Sequence, residues 1–210
     1  RTRLRKGTTA ETQTLAAIFK MRPLITFILT LISLTSLAQT SKWVDFEMTW
    51  NKYMGQPTHE NAVKVYRQLP DKVMGKDLPD ERLTNKIFED WDKIGKKIST
   101  GNKDAIQIGF KLFTIADGAF QEDLGIDLGR LIVINPKLFL QELRSHRHLI
   151  VSLEGLVGNY GEEFVDQKEL QLKETEKRIK SLETVNDSAL ASARTECLKE
   201  LKDKSNRLGN

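Results

Sequence analysis

Residues 79–99 read PDERLTNKIFEDWDKIGKKIS, and the spacing of their apolar side chains decides the fold class. Leu83, Ile87, Trp91, Ile94 and Ile98 recur at intervals of 4, 4, 3 and 4, which puts all five on one face of a helix. The ends agree. Pro79, Asp80 and Glu81 suit a first turn, where a fixed φ and negative charge are favoured, and Lys96 and Lys97 suit a last turn before Gly101. A helix this amphipathic needs other elements to cover its apolar face, and the rest of the chain offers helical rather than strand periodicity.

Upstream, Ser41 to Met54 places Trp43, Phe46, Trp50 and Tyr53 at helical spacing and stops at Gly55 and Pro57. Thr58 can cap a second helix carrying Ala62, Val63, Tyr66 and Leu69 before Pro70, and Asp71 to Leu78 reads as a connector. Downstream, Ile106, Gly109, Leu112, Phe113 and Ala116 predict one helix running from Lys103 to a stop at Asp117-Gly118. Gly109 is expected to let a neighbouring backbone come close. Leu124, Leu128, Leu131 and Ile132 make another helix, Asn135-Pro136 starts a fresh one with Leu138, Phe139 and Leu143 inward, and Leu149 to Val157 predicts one more.

After Gly161 the composition shifts to Glu, Lys and Gln. Val165, Leu172 and Ile179 fall seven apart with Leu182 three further on, a thin stripe between charged flanks. Asn186, Asp187 and Ser188 break the pattern and can cap a last helix from Ala189 to about Arg207. The expectation is an all-α antiparallel helical array, either an irregular bundle or a short stack of helix pairs, over residues 39–161, with a charged helical hairpin over 162–210. Asp104 to Leu143, with its paired helices and Gly or Asn-Pro joints, is similar to HEAT-type repeats, which implies a right-handed stack. No second copy with a matching period follows it.

The start of the chain sets the compartment. Met21-Arg22-Pro23 leads into an apolar run from Leu24 to Leu37 that closes on Ser36-Leu37-Ala38, the layout of a secretory signal peptide over 21–38 with cleavage after Ala38. The run is shorter than the roughly 20 residues of a membrane-crossing helix, and no cysteine follows the cut to take a lipid, so no stable membrane anchor is expected after cleavage. Residues 1–20 read as an upstream over-extension of the reading frame; a cytoplasmic tail before a signal anchor is the other reading. The product is expected to be secreted or periplasmic.

Charge follows from the same cut. The chain holds 33 Lys+Arg and 29 Asp+Glu; six of the bases and one of the acids lie in residues 1–38, which leaves 27 against 28, a net charge of −1. Nucleic-acid binding needs a basic excess to neutralise phosphates, and none survives, so no nucleic-acid partner is expected. With one cysteine, Cys197, no intramolecular disulfide can form, and its stripe with Leu190, Leu201 and Leu208 reads as a packed helix face.

No pattern of catalytic, cofactor-binding or metal-ligating residues stands out. His146 and His148 are two apart and diverge on a helix, so they read as neighbours of a C-terminal cap, and His59 reads as a surface residue. Asp117, Glu122, Asp123 and Asp127 cluster around Gly118 and Gly125 but lack the spacing of a calcium loop. Glu89, Asp90 and Asp92 read as a solvated face beside Trp91. Trp43, Trp50, Tyr53 and Tyr66 read as core rather than as a sugar-stacking platform. Asn186-Asp187-Ser188 fits the N-glycosylation acceptor pattern.

Function is therefore expected to be non-enzymatic: an exported, soluble helical module that binds or scaffolds another protein, with no cofactor. Two alternatives stand beside it. One is an enzyme whose site is assembled from dispersed residues, at Asp117 to Asp127 or near His146 and His148. The other is a structural protein that self-associates through Val165, Leu172, Ile179 and Leu182.

Overall fold

The computed structural model describes residues 42–72 and 78–209. The leader over 21–38, its cut after Ala38 and the stretch 1–20 lie outside the described residues, as do Ser41 and the middle of the connector. The described residues are all-α, with no strand among them. A first helix, α1, covers 42–55. It is followed by α2 (His59–Gln68), α3 (Glu81–Ser99), α4 (Lys103–Leu112), α5 (Gly118–Ile134), α6 (Pro136–His146), α7 (Leu153–Gly158), α8 (Lys168–Glu183) and α9 (Ala191–Gly209). From Phe46 onward the chain forms one compact unit, so the C-terminal hairpin α8–α9 belongs to the same unit as the helices before it.

Local chemistry sets the helix starts. The Thr58, Asp80, Asn102 and Asn135 side chains each accept the backbone N–H three residues on, satisfying donors that a first turn leaves without partners. Asn135 and Pro136 take the cap and first-turn places that their types predict. At the far end of α3, Gly101 adopts φ 77°, and its N–H and that of Asn102 close on the carbonyls of Ile98 and Lys97. Leu83, Ile87, Trp91, Ile94 and Ile98 are all buried, as the 4-4-3-4 spacing demands.

Two expected elements differ. The helix from Lys103 stops at Leu112, and Phe113 to Ile115 form a turn. The segment 149–157 is not one helix: Arg147–Leu149 is a 3₁₀ turn, and the α-helix begins only at Leu153, where the Ser152 hydroxyl accepts the Gly155 N–H.

The architecture is an irregular bundle around α5. That helix packs against α3, α4, α6, α7 and α8, whereas in a solenoid each repeat touches only its neighbours. Its sequence explains the place: Phe120, Leu124, Leu128, Leu131 and Ile132 are buried, and Gly125 and Gly129 give it a flat side without Cβ atoms. A Cβ at Gly125 would sit 2.9 Å from the Gly155 carbonyl oxygen, and one at Gly129 2.6 Å from that of Leu156 and 2.8 Å from Arg178 Nη1. α7 thus lies with its backbone directly on α5. Gly109 works differently from expectation: the space beside it holds the Trp91, Ile98 and Leu128 side chains at 3.2–3.3 Å, not a backbone.

The hairpin is held to this core by charge. α7 is only one and a half turns long, and its last carbonyls need donors. Arg178 of α8 supplies Nη1 to the Val157 and Asn159 carbonyls at 2.7 and 3.1 Å, and Lys204 of α9 supplies Nζ to the Gly158 carbonyl at 2.7 Å. Both cations also lie over the Tyr160 ring, at 4.5 and 4.7 Å from its centroid. Thr175 gives its only hydrogen to the Gln171 carbonyl, so the Tyr160 hydroxyl donates to it, at 2.5 Å.

This docking follows the expected stripe of α8 only in part. Thr175, Arg178 and Leu182 face inward, Leu172 and Ile179 are half-buried, and Val165 is 62% exposed. The helix is turned so that its arginine reaches α7.

Gly129→Ala is expected to lower stability by about 1–3 kcal/mol, because a carbonyl oxygen and a bonded guanidinium stand where the methyl must go. Urea denaturation checks it: the midpoint should fall at unchanged slope. Gly55→Ala, with nothing within 4 Å of the added carbon, should leave the midpoint in place or raise it.

Candidate functional site

Two places gather chemistry-bearing side chains: a closed polar cluster around His146 and an open groove beside α7. The cluster forms where α2, α4 and α6 meet. His146 ends α6, and its ring stacks on Phe110 of α4 at 5.5 Å and meets Tyr66 of α2 edge-on at 5.9 Å. Its Nδ1 lies 2.8 Å from the Glu142 carbonyl, which can only accept, so that nitrogen carries the proton. In the neutral ring Nε2 is then an acceptor, and the Tyr66 hydroxyl donates to it at 2.9 Å.

Around this pair, Gln107 Nε2 stands 3.3 Å from both Glu142 carboxylate oxygens. The buried Lys111 pairs with Asp71 of the connector and lies 5.0 Å from the Tyr66 ring centroid. His146 lies at the C-terminal end of its helix, as expected, and is buried there, 3% exposed. Two helices that come earlier in the chain, α2 and α4, cover it, which is why spacing along one helix could not show it. His148 is exposed and does not join it. His59 is a surface residue whose Nδ1 meets Asp104 Oδ1 of α4 at 2.9 Å.

The cluster is saturated. Both ring nitrogens of His146 are committed, and burial holds its proton affinity below the usual histidine value. Lys111 and His148 push the same way, against the Glu142 carbonyl bond and carboxylate. The geometry locks three helices together and leaves no free nitrogen for proton transfer.

The aromatic residues of α1 are also structural. Phe46, Trp50 and Tyr53 are buried, and Trp50 Nε1 donates to Asp90 Oδ2 at 3.1 Å. Asp90 is therefore not a simple solvated acid: it is half-buried, and against the upward push of burial the bonds from Lys93 and Trp50 hold its carboxyl below the usual range. Cys197 is fully buried among the hairpin residues, and burial pushes its thiol up to about 12, which removes it as a nucleophile near neutral pH.

The groove is the open feature. It has a volume of about 300 Å³ and lies between the start of α5 and α7. Phe113 and Leu156 form its floor, Gly118 and Gly155 its narrow sides, and Val151, 73% exposed, its rim. Gln121, Glu122 and Asn159 add polar edges. A second depression, of about 450 Å³, separates the start of α6 from the α8–α9 turn and is lined by Pro136, Lys137, Val185 and Asp187. Lys137 and Asp187 pair across it at 3.3 Å.

Of the acids singled out in sequence, Glu122 reaches the groove edge, while Asp117 precedes α5 as an exposed cap position. Asp123 and Asp127 both titrate above the usual carboxylate range. Burial is the first cause, and neighbouring carboxylates add to it. Among the described residues no three His, Cys, Asp or Glu side chains converge as metal ligands do. Also among them, no helix is long and apolar enough to cross a membrane. The groove went unseen in sequence because helical spacing carried Phe113 and Val151 inside continuous helices, whereas both fall in breaks between helices.

Comparison with protein-family models, with curated proteins and with solved structures finds no match for this chain.

The buried His146 predicts a pH dependence of stability. A histidine whose folded value lies below its ordinary 6.5 takes up a proton less readily folded than unfolded, so its contribution is complete above that value and declines as pH falls below it. The urea midpoint at about pH 5 should lie below that at about pH 7.5. The gap should narrow in His146→Gln, which keeps a donor and an acceptor but no titration.

Proposed function

We propose that this protein is an exported, non-enzymatic binding module that takes an apolar side chain of a partner protein into the groove between α5 and α7. The groove carries the reading. It pairs buried apolar floor residues, Phe113 and Leu156, with an exposed apolar rim at Val151. A volume of about 300 Å³ stands at the small end of ligand pockets, which suits one or two side chains rather than a whole cofactor. The state of the chemically capable groups supports the same view: the His146 nitrogens are both bonded, and the Cys197 thiol is buried.

Export rests on the sequence from Met21 to Ala38, with its basic start, short apolar run and small residues before the cut. A second reading, self-association along the hairpin, is favoured by the exposure of Val165 and Leu170, at 62% and 47%.

Expressed from Met21, the exported product should begin at Gln39 by mass spectrometry; a product retaining residues 21–38 overturns export. A photo-cross-linking residue at position 151 should then give one discrete adduct with a second protein, absent when the probe sits at Lys173 on the outer face of α8. Equal labelling from both positions overturns docking at the groove. A self-adduct from position 170 with a dimeric mass in light scattering selects the second reading.

A further inference from the structure

We draw no further inference here: the strongest candidate, the apolar groove between the start of α5 and α7 with Phe113 and Leu156 on its floor and Val151 on its rim, belongs to the site already described, and nothing in the structure shows what covers it.

Discussion

The last turn of α7 is where this structure is held together. A helix that short cannot satisfy its own C-terminal carbonyls, and it lies flat on the glycines of α5, so water reaches them poorly. Arg178 and Lys204, one from each helix of the hairpin, bring the missing donors and place positive charge at the negative end of the helix dipole. An arginine 1% exposed is costly, and burial lowers its proton affinity. The cost is offset by two carbonyls, the Tyr160 ring and Glu174, whose Oε1 lies 3.5 Å from Nε. Removing any one of these leaves a buried group without its partner, which is why α7, α8 and α9 are best regarded as one cooperative element.

That arrangement fixes the groove. α7 can lie close to α5 only because Gly125 and Gly129 have no side chains where Gly155 and Leu156 come down on them, and the groove lies beside this contact, towards Gly118 at the start of α5 and Val151 ahead of α7. Glu122 at the groove's edge sits on α5 ahead of Gly125, so the groove and the structural seam share that helix as their common support. The His146 cluster plays the matching role at the opposite side of α4, tying α2, α4 and α6 through bonds that leave no reactive group free.

Much of this was legible in the sequence where a single helix carried the information. The 4-4-3-4 spacing of Leu83 to Ile98, the caps at Thr58 and Asn135, the stop at Gly101 and the burial of Cys197 follow from local periodicity and backbone needs. The burial of His146 was not legible, because Tyr66 and Phe110 approach it from elements 80 and 36 positions away in the chain. The inward turn of α8 was hidden for a similar reason. Its apolar stripe is thin, and one arginine bonded to α7 outweighs it, since a long charged side chain can enter a core when partners wait for it. A glycine pair four apart at Gly125 and Gly129 was the sequence signal for the α5–α7 contact, and it lay within a stretch whose acids drew the reading toward ligands instead.

The chain by itself determined that the protein is helical, where most of its helices begin, and which faces are apolar, because those properties depend on residues within a few turns of one another. The tertiary structure alone decided that α5 is the centre, that Arg178 and His146 are buried, and that a groove opens beside Glu122. Each of these depends on groups far apart in sequence meeting in space, a condition that no local pattern encodes.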